Sequence, residues 1–176
     1  MEHLLSLATI ASPAADLLKA RKETIAIAES STGGLISASL LAVPGASAYF
    51  LVGTVIYTRQ SRKIFLELPM DKLKGVKPLT EEIARIFAET IRLSMDATWG
   101  LAELGVAGPS GTPYSKEAGV SVIAVAGPIV TSEKVETGHN NREQNMHEFS
   151  EQALLLLEKT LKHADEGIDT GTGKPS

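Results

Sequence analysis

The chain has 176 residues, 43% of them hydrophobic, and a formal net charge of -4. This length suits one domain with a substantial core, and an acidic chain without a block of basic residues is not typical of a nucleic-acid-binding protein. The lack of cysteine excludes disulfides, thiolate zinc sites and cysteine nucleophiles. We therefore expect a small-molecule partner, no nucleic acid and a cytoplasmic location. We also expect no membrane association, since no apolar run is long enough to span a bilayer.

Strand and helix patterns alternate along the first half of the chain. They predict a helix over 2–22, a strand over 24–28, a helix over 35–43, a strand over 52–57 and a short helix over 61–68. The first of these helices could equally be two short ones that restart at Ser12 and Pro13, because serine followed by proline is a common helix start.

The second half is predicted to contain a helix over 80–93, a strand over 99–107, paired strands over 119–126 and 129–135, and an amphipathic helix over 142–163. Alternating elements followed by two adjacent strands indicate an α/β fold, a single-domain layered α/β/α sandwich with a mixed sheet. We expect this domain to cover residues 1–164 and residues 165–176 to form a disordered tail.

The segment TIAIAESSTGG, from Thr24 to Gly34, combines an apolar strand with hydroxyl side chains and paired glycines. Glu29, Ser30, Ser31 and Thr32 fall at the predicted strand-to-helix turn, where free backbone N–H groups and the helix dipole favour a phosphate or a developing oxyanion. Gly33 and Gly34 would let a ligand approach the backbone. The alternative is that Ser31 or Thr32 simply caps the helix.

Three segments in series resemble the C-terminal domain family of the competence/damage-inducible protein CinA: AESSTGG over 28–34, PGASAYFLVGTVIYT over 44–58 and GVAGPSGTP over 105–113. The stand-alone members of this family are nicotinamide-nucleotide amidohydrolases. The resemblance implies an α/β domain that hydrolyses the carboxamide of nicotinamide mononucleotide with a Ser/Lys/Tyr arrangement, without metal or cofactor. Family members associate, so it also implies a homo-oligomer.

By position, the resemblance assigns the nucleophile to Ser30 and the family's tyrosine to Tyr57, while Arg62 stands where the family has its catalytic lysine. Arginine stays protonated, so Arg62 can orient or stabilise an anion but cannot accept the Ser30 proton. Lys63 or Tyr57 would then have to act as the base. If neither does, the same pocket is a catalytically degenerate nucleotide-binding module.

The resemblance further implies substrate contacts from both glycine-rich loops and from the start of the last helix, namely Glu29, Ser31, Thr32, Gly33, Gly34, Gly108, Ser110, Gly111, Thr112 and Arg142. Structural alternatives exist for these assignments. Glu29 could accept hydrogen bonds from backbone donors at its turn, the 105–113 loop could be a tight connection between strands, and Arg142 could be a surface residue. The four histidines lack metal-ligand spacing, so we assign no metal.

Overall fold

A computed structural model of the chain describes residues 6–68, 70–113, 115 and 117–166, of which 70, 71 and 166 by their backbone alone. The helices are α1 (Leu7–Arg21), α2 (Leu35–Leu41), α3 (Arg59–Phe65), α4 (Glu81–Ser94) and α5 (Arg142–Glu166). The strands are β1 (Ile25–Glu29), β2 (Phe50–Val55), β3 (Trp99–Val106), β4 (Val120–Ala126) and β5 (Val130–Glu136). Short 3-10 helices cover Ala46–Ala48 and Met70–Leu73.

The five strands form one mixed sheet in the order β2-β1-β3-β4-β5. β1 lies parallel to both of its neighbours, β2 and β3. On the other side of β3, β4 pairs antiparallel with β3, and β5 pairs antiparallel with β4. Parallel strands end at the same edge of a sheet, so the segments that follow β1, β2 and β3 open side by side. This edge carries the candidate site.

Alternating side chains of the central strands separate two hydrophobic cores. Ile25, Ile27 and Leu101 face a layer made of α1, α2 and α5. Ala26, Ala28 and Ala102, one position along, face α4 on the other side of the sheet. The small alanines leave room for α4 to pack closely. The layered α/β/α sandwich with a mixed sheet is thus confirmed.

Two details at the ends of the chain differ from the sequence-based expectation. The alternative of two short initial helices is wrong, because α1 is one helix capped by Ser6 and contains Pro13. The last helix extends to Glu166, and Asp165 forms an ion pair with Arg21 of α1. The rest of the expected tail, residues 167–176, lies outside the described residues.

None of the helices within the described ranges combines the length and the apolar character that crossing a bilayer requires.

Candidate functional site

A cavity of about 250 Å³ opens where β1 and β3 end. Ser30 and Thr112 reach it from two loops, and Tyr57, Arg59 and Arg62 reach it from the start of α3. Ligands of α/β proteins commonly bind in such a crevice, outside the carboxyl ends of parallel strands. The cavity unites the three positions to which the sequence assigned catalysis, and it is the candidate site.

Ser30 follows β1 directly and is only 3% exposed. It continues the alternation of Ala26 and Ala28, which places it on the α4 side of the sheet. Its hydroxyl makes no hydrogen bond with any described residue, although the backbone N–H of Ser30 is bound. The hydroxyl is therefore left to interact with whatever enters the cavity.

Glu29 occupies the helix start that we expected to bind an anion. Its fully buried carboxylate accepts hydrogen bonds from the backbone N–H groups of Gly34, Ile36 and Ser37 at 3.0, 3.1 and 2.8 Å. The expectation of a phosphate or oxyanion at these groups is wrong, because a side chain of the protein already fills the place and supplies the negative charge that the helix dipole favours.

The other polar residues of this turn also hold the turn itself. Thr32 is fully buried, and its hydroxyl donates to Glu29 at 2.7 Å. Gly33 and Gly34 have φ values of +64° and +103°, a backbone conformation that only glycine adopts without strain. Neither these residues nor Glu29 and Ser31 line the cavity. The alternative that Ser31 or Thr32 caps the helix is also wrong, because Gly34 is the N-cap of α2 and both hydroxyls donate to carboxylates instead; it is Glu29 that binds the first amides of the helix.

Glu103 of β3 is a buried carboxylate that the sequence analysis missed. It accepts hydrogen bonds from the backbone N–H groups of Ser30 and Thr32 at 3.0 and 3.1 Å, and from the Ser31 hydroxyl at 2.5 Å. A visible signal existed, since Glu103 is the one charged residue in the otherwise apolar run that forms β3. These three partners lie more than seventy residues before Glu103, so the signal could not reveal its role at the turn.

Arg62 is held at the wall of the cavity by contacts that include a hydrogen bond and an aromatic ring. Its Nε donates to the Ile56 carbonyl at 3.1 Å, and its guanidinium lies 5.7 Å from the ring centroid of Phe87. Such a cation over an aromatic face is attracted by the ring. Lys63, the next residue, is exposed and does not line the cavity. Lys63 therefore does not share the cavity with Ser30.

The second glycine loop is held by the start of α5. Arg142 donates to the Gly108 carbonyl at 2.6 Å and to the Tyr57 hydroxyl at 3.3 Å, so it bridges the loop and the cavity rim. One turn later, buried Asn145 donates to the Ala107 carbonyl at 2.8 Å. Arg142 is exposed, yet its contacts make it more than a surface charge. Sequence reasoning missed Asn145 altogether.

The loop residues themselves face in different directions. Thr112 lines the Ser30 cavity, whereas Gly111 lines a separate cleft of about 720 Å³. Ser110 is exposed and lines neither cavity. Of the ligand contacts expected from this loop, Thr112 is the one whose position agrees with contact to a molecule beside Ser30.

The lining also contains residues to which the sequence assigned no role in the site. Arg59 begins α3, Leu79 lies in the segment before α4, and Ile83 lies in the first turn of α4. Leu79 has a φ of +56°, in the left-handed region that non-glycine residues rarely adopt. The cavity therefore has one arginine more than the sequence predicted and an apolar wall opposite.

Among the described residues, no group of three or more histidine or acidic side chains could hold a metal ion.

Comparison with known proteins gives a consistent family. The model of the CinA C-terminal domain matches residues 7–161. A CinA-like protein of Anaeromyxobacter sp. (strain K) is 37% identical over 145 residues, which are 82% of this chain and 36% of that protein. One from Prochlorococcus marinus (strain MIT 9313) is 41% identical over 120 residues, 68% of this chain and 28% of that protein. The chain thus spans about a third of the length of the curated relatives it matches.

Solved structures agree in fold. A CinA superfamily protein from Klebsiella pneumoniae superposes with a TM-score of 0.81 at 22% identity, covering 89% of this chain and 98% of that one. The competence/damage inducible protein CihA from Agrobacterium tumefaciens gives a TM-score of 0.80 at 24% identity, covering 89% and 96%. At these identities the likeness establishes the shared fold.

Proposed function

Because this chain belongs to the CinA C-terminal domain family, we propose that it is an amidohydrolase that converts nicotinamide mononucleotide to nicotinate mononucleotide and ammonia. The observation that carries this proposal is the shared cavity of Ser30, Tyr57 and Arg62. These are the three positions that correspond to the family's serine, tyrosine and lysine. Ser30 follows β1, whereas Tyr57 and Arg62 lie at the start of α3, so the meeting of these two segments at one cavity is a property of the fold.

In the proposed reaction the Ser30 hydroxyl attacks the carboxamide carbon and passes its proton to a base. Collapse of the tetrahedral intermediate breaks the carbon–nitrogen bond, and the proton leaves with ammonia. Water then attacks the ester formed with Ser30, which releases the carboxylate and restores the hydroxyl. The amides that Glu29 and Glu103 already bind cannot stabilise the oxyanion, so this role falls to other donors at the cavity.

We assign the base to Tyr57. It lines the cavity with Ser30, and Arg142 donates a hydrogen bond to its hydroxyl. The oxygen of a tyrosine hydroxyl can act as a proton acceptor as well as a donor. Arg62 cannot accept one, and Lys63 lies outside the cavity lining.

Anion recognition falls to the arginines. Arg59 and Arg62 line the cavity, and Arg142 reaches its rim through Tyr57. Guanidinium groups bind phosphate with paired hydrogen bonds, so these side chains suit a nucleotide monophosphate. Thr112 adds a hydroxyl on the loop side. We further propose that the protein acts in the cytoplasm as a homo-oligomer.

A second candidate function is nucleotide binding without turnover. One observation favours it: Arg62 occupies the place of the family's lysine and is fixed there by Ile56 and Phe87. A cavity rich in arginine would hold a phosphorylated ligand equally well whether or not a base is present.

Release of ammonia and nicotinate mononucleotide from nicotinamide mononucleotide tests the proposal. We expect turnover by the wild type, none by Ser30→Ala, and calorimetric nucleotide binding by both. Ser94→Ala is the matched control, because Ser94 is an exposed serine at the end of α4 that donates only to its own helix. Wild-type binding without turnover would favour the second candidate. Full activity of Ser30→Ala would refute the nucleophile.

A further inference from the structure

Glu103 occupies a position where an acidic side chain is costly. It is 0% exposed, and no described lysine, arginine or histidine forms an ion pair with it. A buried carboxylate is tolerated when enough donors converge on it. Here the donors converge from two directions: the turn after β1, and Ser121 of β4 at 2.9 Å.

The two carboxylate oxygens have different partners. Oε2 accepts from the Ser30 and Thr32 backbone N–H groups, and it lies 3.1 Å from the Thr32 hydroxyl, which makes its shorter bond to Glu29. Oε1 accepts from the hydroxyls of Ser31 and Ser121. Backbone N–H groups can only donate, whereas hydroxyls can also accept. The atom at the position of Oε2 must therefore be a hydrogen-bond acceptor, whereas a donor could also occupy the position of Oε1.

Space for this arrangement is provided by Gly105, two residues further along β3. A Cβ atom at Gly105 would lie 2.4 Å from the Ser31 hydroxyl and 2.9 Å from Glu103 Oε1, closer than real contacts allow. Glu103 and Gly105 point to the same face of the sheet, towards α5, because side chains alternate along a strand. Leu104, between them, faces the α4 layer and lines the cavity.

We propose that Glu103 is a positioning residue of the Ser30 site, which fixes the turn from the face of the sheet opposite to the cavity. Two of its hydrogen bonds hold the amides of Ser30 and Thr32, so the Cα of Ser30 has a defined place while its hydroxyl stays free. This inference rests on the proposed function, in which Ser30 is the nucleophile. A misplacement of a reacting group by about 1 Å can cost about a hundredfold in rate.

Two substitutions separate reach from charge. Glu103→Asp keeps the charge but withdraws the carboxylate by one methylene, so it cannot bridge both amides. Glu103→Gln keeps the reach, because its oxygen can serve the amides while its NH₂ group donates to the hydroxyls. We expect kcat to fall about a hundredfold in Glu103→Asp and to stay within about fivefold of the wild type in Glu103→Gln. The nucleotide Kd should change less than about threefold in both.

Glu136→Gln is the matched control, since Glu136 is an exposed glutamate of β5 that pairs with Lys134 and contacts neither Glu103 nor the turn. We expect wild-type kcat there. A second measurement is the rate at which a fluorophosphonate labels Ser30, which reports the reactivity of the serine hydroxyl independently of nucleotide binding. The labelling rate should decline in Glu103→Asp in parallel with kcat. Thermal unfolding monitored by circular dichroism tests whether the variants are folded.

The outcomes separate the two hypotheses. An active wild type with a fully active Glu103→Asp, or with a Glu103→Gln impaired more than tenfold, would overturn the positioning role and leave Ser30 as nucleophile. If Glu103→Asp does not fold, the Glu103→Gln variant decides, and a kcat more than tenfold below that of the wild type would overturn the positioning role. A wild type that neither hydrolyses the nucleotide nor is labelled at Ser30 would overturn the proposed function, and this inference with it.

Discussion

At the scale of single residues, position 62 decides whether the cavity contains an amine. Arg62→Lys would place a side chain that can lose its proton beside Ser30. We expect kcat for nicotinamide mononucleotide to rise at least about tenfold, with a gain that grows with pH because the neutral amine is the base. Steady-state rates between pH 6 and 9 measure this.

The adjacent residue provides the control for that experiment. Lys63 is exposed and lies outside the lining of the cavity, so Lys63→Ala should leave the rate unchanged. A large loss of rate in Lys63→Ala would identify Lys63 as the base after all. No gain in Arg62→Lys would count against the correspondence between Arg62 and the family's lysine.

Arg142 allows a second prediction at this scale. Arg142→Ala removes the hydrogen bonds to Gly108 and Tyr57, which link the loop to the cavity rim. We expect the Kd for the nucleotide to rise about tenfold, because a hydrogen bond to a charged group contributes about 1.5–3 kcal/mol. Calorimetric titration measures it. Arg85→Ala, an exposed arginine on α4, is the control, and equal affinity in both variants would make Arg142 a surface charge.

Ser30, Tyr57 and Arg62, which the sequence assigned to one site, line one cavity, whereas several of the neighbours assigned with them do not. Glu29 and Thr32 are polar residues beside Ser30, yet alternation along β1 turns Glu29 towards α2 instead of the cavity. Arg59 was missed although it lies only three residues before Arg62. Whether a neighbouring residue enters a site depends on its direction, which short sequence distances do not give.

At the scale of elements, most helices and strands begin and end within a few residues of their predicted bounds. Helix α3 is an instructive difference, because it starts at Arg59 instead of Ser61. The Thr58 hydroxyl accepts from the Ser61 N–H, and the Ser61 hydroxyl accepts from the Thr58 N–H, each at 3.0 Å. This capping box uses serine where glutamate or glutamine is usual, so the pattern was not recognised. The earlier start brings Arg59 to the cavity.

Strand β5 allows a prediction about pH. Burial raises the pKa of the Glu133 carboxyl above its ordinary value; Lys159 opposes this shift and Glu81 adds to it. A raised pKa in the folded state means that ionisation disfavours folding, so this cost is absent at low pH and fully present above the folded-state pKa. Glu133→Gln should therefore raise the melting temperature at pH 7.5 by about 1–2 °C, a modest gain because the group is partly exposed.

The same variant should show no gain at pH 4, where the carboxyl is largely protonated in both states. Glu136→Gln serves as the control, because Glu136 lies on the same strand and forms an exposed ion pair with Lys134. Exposed pairs contribute little to stability. An equal shift in both variants, or a loss of stability at pH 7.5 in Glu133→Gln, would contradict the assigned cost of burial.

At the scale of the whole molecule, we expect association between copies of the chain. The edge strand β2 and the following helix α3 expose large apolar side chains, including Leu51, Val55, Ile64 and Phe65. Exposed edges with apolar side chains favour association. Sedimentation velocity should give a mass that is a multiple of 18.6 kDa. A single species of one chain's mass at all micromolar concentrations would contradict the expectation.

The sequence by itself determined the α/β class, the order of the elements and the turn that carries Ser30, because hydrophobic periodicity and glycine positions act locally. Only the tertiary structure decided which groups meet at that turn. Glu103 reaches Ser30 across 73 residues of chain, and Arg142 reaches Tyr57 across 85. Such contacts depend on the order β2-β1-β3-β4-β5 and on which face each strand presents, and local patterns do not encode the pairing of distant strands.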